Sequence, residues 1–413
     1  MLFFYFFAAV LVWLGIVSLR GGMQYLAYVR RGMVKDGSSF TPFATVIAPC
    51  RGLDQGLRAN IVALFGQQYP AYEIIFVSDR QDDAALAVVE EVRRESVDGS
   101  PAGVRVVIAG EAIESGQKVH NLRVAVAQAD PASEVFVFVD TDARPCADWL
   151  ASLVAPLADE RIGAATGYRW FIPVAGNLAS RLRAVWNASI ASALGERTER
   201  NFCWGGSTAI RRRTFERLNI MEEWRGTLSD DFALTRALKR ASLPIHFAPR
   251  CLIASLEDCT WRELMEFTTR QMKITRVYAP HLWKAALVGS LLFTLIFFGG
   301  LALVIARLAL GLSFIIPLAL LLLIYLLGTW KAYLRLRAVS LPLEPYLAAL
   351  RRDARAQLLL WPLASALFLY NTLSAALSRR IRWRGIVYEL KSPSETVIIS
   401  NQQLSASNQR VGV

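Results

Sequence analysis

Residues 2–19 of this chain carry no charge, and two further apolar stretches run through roughly 285–306 and 309–330. A run of about 18 apolar residues is long enough to cross a bilayer as a helix. The chain must therefore fold around helices that live in lipid, and its chemistry must lie between them. No basic segment precedes the first run and no small-residue cleavage site follows it, so residues 1–20 read as an uncleaved N-terminal transmembrane anchor. The later pair, separated by Arg307, reads as a transmembrane hairpin over 283–330.

Charge supports this reading. The chain is 54% hydrophobic and only 19% charged, yet carries a net charge of +12. Its basic residues gather at the edges of the apolar runs: Arg20, Arg30, Arg31 and Lys35, then Arg335, Arg337, Arg351 and Arg352, then Arg379, Arg380, Arg382 and Arg384. Such clusters follow the positive-inside rule and suit anionic lipid better than nucleic acid. They place the central segment in the cytoplasm and name the lipid bilayer, with no nucleic acid, as a partner. Five cysteines form no CxxC pair, and the three histidines form no ligand pattern, so a disulfide framework or zinc site is not expected.

Residues 40–258 read as one α/β domain. Short apolar runs at 44–49, 72–77, 104–108 and 135–139 alternate with helical patterns near 54–66, 82–95, 117–129 and 147–158. Strand–helix alternation builds βαβ units and a mostly parallel sheet, and runs without polar alternation are strands covered on both faces. The stretch 259–282 has one apolar and one basic side, as an interfacial amphipathic helix does. A basic segment at 331–355, broken by Pro342 and Pro345, lies on the cytoplasmic surface. For 356–378 the rules conflict: a full span would put Arg379–Arg384 outside, so a re-entrant or tilted segment is expected. Residues 379–413 form a cytoplasmic tail, polar and disordered from 391 onward.

Three aspartate clusters carry the chemistry. A Val-Phe-Val-Phe-Val strand delivers Asp140 and Asp142 onto a loop, one residue apart and facing one way. Two hard oxygen ligands with open positions suit Mg²⁺ or Mn²⁺, although a turn with Asx hydrogen bonds fits the same residues. Asp79 ends an earlier strand, where it can accept from a nucleoside or cap a helix. Lys118 sits at a helix start, either as part of an anion site or as a solvated side chain. Asp230 and Asp231 open a helix over 230–241. Asp230 there is a cap or a catalytic group, and a partly desolvated Asp231 would make a general base. In Phe202-Cys203-Trp204-Gly205-Gly206, the glycines permit close backbone approach and Trp204 is a stacking face or a core residue. No phosphate-binding P-loop, dinucleotide fingerprint or Gly-x-Ser-x-Gly elbow occurs.

The order Asp79, Asp140-x-Asp142, Asp230-Asp231, then Arg270-Gln271-Met272-Lys273-Ile274 resembles the D, D, D, (Q/R)xxRW series of membrane-bound glycosyltransferase families 2 and 21. It is more similar to ceramide glucosyltransferase-like proteins through Gly116-x-Lys118-x-x-Asn121-Leu122, Cys203-Trp204-Gly205-Gly206-Ser207 and Trp383-Arg384-Gly385-Ile386-Val387-Tyr388. The sequence departs from the series at Lys273 and Ile274, which stand where the motif has Arg and Trp. What the resemblance implies is a GT-A fold, Rossmann-like, joined to α-helical membrane segments, with a UDP-sugar donor and a membrane lipid acceptor. Arg51, Asp79, Lys118, Asn121, Asp140 and Asp142 would bind the nucleotide-sugar, and Asp140 and Asp142 would hold Mn²⁺ or Mg²⁺. Asp231, with Asp230 beside it, would be catalytic. Trp204, Gly205, Gly206, Arg270, Gln271 and Lys273 would meet the acceptor or the phosphates. The function so implied is inverting transfer of a hexose, glucose first, to a ceramide-like or other glycolipid precursor. Two rivals stand beside it: a processive polysaccharide synthase and an inactive nucleotide-binding membrane scaffold.

Overall fold

The computed structural model describes residues 1–34, 39–96 and 101–401. Lys35 of the first basic cluster and residues 402–413 of the expected tail lie outside the described residues. Helix α1 (Leu2–Gly32) leads into strand β1 (Ala44–Pro49), α2 (Leu57–Phe65), β2 (Tyr72–Ser78), α3 (Ala84–Glu95), β3 (Gly103–Ile108), α4 (Gln117–Val126) and β4 (Val135–Val139). Next come α5 (Trp149–Val154), β5 (Ala164–Ile172), α6 (Leu178–Ala191), β6 (Ser207–Arg211), the short α7 (Arg212–Arg217) and α8 (Ile220–Glu223), α9 (Asp230–Arg240) and β7 (Ile245–Leu256).

These strands form one sheet in the order β3-β2-β1-β4-β6-β5-β7. All neighbours are parallel except β6, which runs antiparallel to both β4 and β5. This is the mostly parallel, Rossmann-like GT-A arrangement expected. Every residue of β2, β4 and β5 is buried, because helices cover the central strands on both faces. One core holds Val46, Ile74, Val137 and Trp149; the other holds Ile47, Ile75, Phe136, Phe138 and Trp224. Adjacent residues of β1, β2 and β4 thus point into opposite cores, as strand alternation requires. The carboxyl ends of β1, β2 and β4 lie side by side, and the loops after them build the site.

The C-terminal part contains α10 (Trp261–Tyr278), α11 (Pro280–Ala309), α12 (Ile315–Val339), α13 (Leu347–Leu359) and α14 (Trp361–Leu377). Helices α1, α11 and α12 are long and apolar enough to cross a membrane. They pack together through Phe4, Ala8 and Leu11 on α1, Phe293, Ile296 and Phe297 on α11, and Leu321 and Ile324 on α12. Helix α1 does not stop near residue 20. It continues to Gly32, and its last turns pack on the α/β domain: Tyr25 and Tyr28 stack on Phe247, and the Tyr28 hydroxyl donates to the Phe247 carbonyl at 2.5 Å. One helix therefore contacts both the apolar bundle and the sheet.

The segment 356–377 is not a straight span. Helices α13 and α14 meet at a 68° bend, and Pro362 in the first turn of α14 lacks the N–H that a continuous helix would need there. The buried Asn371 accepts from the hydroxyls of Thr268 and Thr269 on α10, so α14 packs on that helix.

One expectation fails. Residues 391–401 are not a disordered tail. They belong to a three-stranded antiparallel sheet of β8 (Arg380–Trp383), β9 (Ile386–Ser392) and β10 (Glu395–Asn401). Alternation explains it: Ile386, Tyr388 and Leu390 all point one way and bury against Leu228 and Ile274 of the α/β domain and α10. The polar residues between them occupy the other face of a strand, not a solvated coil.

Candidate active site

Strand β4 ends at Val139 and hands Asp140 to a loop that its neighbours hold firmly. Thr141 donates its hydroxyl to the Pro49 carbonyl at 3.3 Å, and the Asn60 amide donates to the Thr141 carbonyl at 3.0 Å. Asp140 and Asp142 face the same way and meet one cation. Arg169, from the middle of β5, donates to Asp140 at 3.0 Å and to the two oxygens of Asp142 at 2.9 and 3.2 Å. Its guanidinium also lies over the Trp204 ring, 4.9 Å from the centroid. Trp204 is buried, with Tyr168 beside it, so it forms a wall behind the aspartates and not an open stacking platform.

The other oxygen of Asp140 contacts Lys118 at 2.8 Å, and the same ammonium contacts Asp230 at 3.4 Å. Lys118 on α4 thus bridges the first aspartate of the β4 loop to the first residue of α9. Burial alone would raise the Asp140 pKa, but Lys118 and Arg169 outweigh it and hold the carboxyl below its usual range. For Asp230 burial wins. Helped by the charges of Asp231 and Asp140, it pushes this carboxyl up to about 6 despite Lys118. Burial works against the Lys118 charge as well, yet Asp140 and Asp230 hold its proton more tightly than usual.

Gly205 and Gly206 make this convergence possible. A Cβ on Gly205 would land on Asp230 Oδ2 and lie 2.9 Å from Lys118 Nζ, and one on Gly206 would lie 2.7 Å from Asp140 Oδ2. Only a bare backbone fits between the two carboxylates. Asp231 follows in the first turn of α9, half-buried. It accepts from the Ser229 hydroxyl and from the Phe232 N–H at 2.7 Å, and its charge reaches Lys118. Ser229, not Asp230, is the residue before the helix, which leaves the Asp230 side chain free to face the lysine.

Asp79 is buried at the end of β2 and paired with Arg51 at 2.6 Å. The helix cap in this region is Asp83, which accepts from Ala85 N–H at 2.9 Å and leaves Asp79 free of that duty. Asn121 turns inward and accepts from Gln117 at 2.8 Å. Gln117 in turn donates to the Gly110 carbonyl and accepts from Ala112 N–H, so Asn121 shapes the loop before α4.

The α10 series divides. Arg270 reaches the site and lies over the rings of Phe267 and Trp383, at 5.6 and 5.4 Å from their centroids. Gln271 makes no side-chain hydrogen bond among the described residues. Lys273 turns away and donates to the Arg380 carbonyl at 2.7 Å, so it ties down β8 and does not approach the aspartates.

Mg²⁺ and Mn²⁺ prefer hard oxygen ligands, and Mg²⁺ typically uses one or two carboxylates plus substrate phosphates. Asp140 and Asp142 fit that donor chemistry. No group of three or more His, Cys, Asp or Glu suited to a metal occurs among the described residues, and an ion held by the two aspartates would take its other ligands from phosphate and water. Lys118 and Arg169 now engage all four oxygens of the pair, and an ion there would take over contacts made by Arg169.

Three participants escaped the sequence reading, Arg169, Glu257 and Asp54, and Arg384 was read only as part of a basic cluster and a motif. Arg169 left a signal, since it is a lone charge inside the buried nine-residue strand β5 and had to have a partner. Glu257 pairs with Arg183 at 3.4 Å, just after β7. Asp54 pairs with Arg384 across 330 residues of sequence at 2.7 Å, a contact that no local pattern announces.

A family model described as Glycosyl transferase family 21 matches residues 10–396. Among known proteins, the chain is similar to ceramide glucosyltransferase 3 of Caenorhabditis elegans, 29% identical over 107 residues, which is 26% of this chain and 22% of that relative. The match spans under a quarter of that relative's length. Among solved structures, it is similar to the mannosyltransferase PcManGT from Pyrobaculum calidifontis in complex with GDP-Man and Mn²⁺, at 18% identity over 90% of this chain and 98% of that one, with a TM-score of 0.45. A glucosyl-3-phosphoglycerate synthase from Mycobacterium tuberculosis in complex with phosphoglyceric acid aligns at 14% identity over 58% of this chain and 84% of that one, with a TM-score of 0.37.

Proposed function

The chain belongs to glycosyl transferase family 21, and from that premise we propose that it moves one hexose, glucose first, from a UDP-sugar to the hydroxyl of a membrane lipid, with inversion. The observation that carries this reading is the Lys118 bridge, which draws the β4 aspartates and the α9 aspartates onto one glycine floor. An in-line displacement needs leaving-group and base chemistry within one sugar's width.

In this reading Asp79 and Arg51 meet the uridine. Asp140 and Asp142 are the residues that would hold a divalent ion, which supplies charge neutralisation for a departing diphosphate. Asp231 accepts the acceptor's proton as its oxygen attacks the anomeric carbon. Lys118 keeps Asp140 and Asp230 in place, and the water-poor floor strengthens each of these interactions. Lipid suits as the acceptor class because α1, α11 and α12 are long and apolar enough to cross a membrane and α1 packs on the catalytic domain. An open groove of about 430 Å³, lined among others by Gln55, Asp258 and Thr260, carries exposed Leu178 and Trp261, which suit an apolar acceptor. With the basic span edges inside, the catalytic domain is cytoplasmic.

The test is Asp231→Asn in purified membranes. Transfer from radiolabelled UDP-glucose to total lipid should fall by about 10²–10⁴-fold while UDP still binds. Retained transfer would remove Asp231 as the base. Long polymer products in the same assay would favour the synthase alternative.

A further inference from the structure

The turn between β8 and β9 places one arginine on the loop that follows β1. Arg384 sits there in a left-handed conformation (φ 50°) beside Gly385 (φ 81°), a backbone that side-chain-bearing residues seldom adopt. Its guanidinium contacts Asp54 at 2.7 Å and donates to the Arg51 carbonyl at 3.3 Å. The turn is held from three sides. Ile386, Tyr388 and Leu390 bury against the catalytic domain. The N–H of Gln117, first residue of α4, donates to the Tyr388 hydroxyl at 3.2 Å. Trp383, next to Arg384, covers Arg270.

Arg270 has no carboxylate within ion-pair distance among the described residues, and the charges of Arg384 and Arg169 both bear on it. Glu266 and Asp142 act on Arg270 less strongly than those two cations do, and an arginine without an ion-pair partner beside other cations marks a place where an anion fits. Arg384 is also the most exposed of the site's cations: its side chain is 39% exposed, against 10–15% for Arg51, Lys118 and Arg169. It is therefore the cation able to change partners at least cost.

We infer that Arg384, carried in by the C-terminal sheet, binds the diphosphate of the nucleotide-sugar, exchanging Asp54 for phosphate oxygens, with Arg270 completing the anion site. Guanidinium suits this because its planar fork matches phosphate as well as carboxylate. The β8–β10 sheet is then a component of the donor site, and Asp54 holds Arg384 in place until the donor arrives. This inference rests on the transferase reading above.

The experiment measures UDP and uridine binding to the full chain in detergent by titration calorimetry. Two variants are compared with the parent. Arg384→Asn keeps the left-handed turn, which asparagine tolerates, and Arg384→Lys keeps the charge without the fork. Preference for UDP over uridine should fall in the order parent, Lys, Asn, by about 10- to 100-fold in the last, while uridine binding holds. An unchanged preference in Arg384→Asn, or equal loss of UDP and uridine in both variants, overturns the inference. Unchanged preference together with lost binding to vesicles of anionic phospholipid also overturns it, and reassigns the arginines to a lipid headgroup. A parent protein that binds neither ligand refutes the transferase reading itself.

Discussion

Lys118→Met tests the electrostatic keystone of the site. Methionine fills a similar volume without charge, so packing is nearly preserved and the perturbation is the lost ammonium. Lys118 lies 2.8 Å from Asp140 and 3.4 Å from Asp230, with its side chain 15% exposed and that of Asp230 6%. Removing one partner of a buried pair costs about 3–5 kcal/mol, because the remaining charge is stranded. For a chain of this size that lowers the melting temperature by about 3–6 °C. Melting is followed by tryptophan fluorescence in detergent, since Trp149, Trp186 and Trp224 are fully buried reporters.

The deficit must also depend on pH with a definite sign. The Asp230 carboxyl is raised to about 6, against about 3.9 in an unfolded chain. The native state thus binds more protons between those values. Its contribution to stability is full below the unfolded value and is lost as pH rises through about 6. Without Lys118 the raising force is unopposed, so the variant's deficit is largest above pH 6 and shrinks on acidification. A variant that melts with the parent at pH 8, or a deficit that does not shrink towards pH 5, would refute the reasoning.

Gly205→Ala forces a methyl onto Asp230. It should cost about 1–3 kcal/mol as overpacking and cut turnover more than tenfold; unchanged steady-state kinetics would show that the floor can yield. Tyr388→Ala empties a nearly fully buried site in the C-terminal sheet and should cost about 3–5 kcal/mol. In limited proteolysis, cleavage should appear first within β8–β10, and an unaltered digestion pattern would speak against docking of that sheet. Removing divalent ions with a chelator should abolish UDP release from UDP-glucose, with Mn²⁺ restoring it. Full release in chelator would leave Arg169 and Lys118 as the only charges on the β4 aspartates.

Much of the scaffold was legible because it is written in local patterns. A continuous apolar pentapeptide of valine and phenylalanine within a strand–helix alternation reads as a covered strand whose next residue emerges at a sheet end, which located Asp140 and Asp142. Hydropathy likewise revealed the three long helices. The C-terminal strands were misread because their stabilisation comes from the partner surface of Leu228 and Ile274, absent from any local window. Lys273 was assigned to the phosphates by its place in a motif, yet its helix face turns it to the Arg380 carbonyl. Trp204 was read as a stacking face or a core residue, and it is buried with Arg169 over its ring.

Side-chain type and chain-local period were enough to determine the first four strands, the apolar helices and the inventory of acidic residues, since each depends on burial within a few neighbours; the last three strands of the sheet and its order were not legible there. Which cation neutralises which carboxylate was decided only by the tertiary structure. Arg169 joins Asp140 to Asp142, Lys118 joins Asp140 to Asp230, and Arg384 reaches Asp54. Coulombic pairing falls off with distance in space and takes no account of distance along the chain. The charge pattern of the site is therefore a property of the folded state alone.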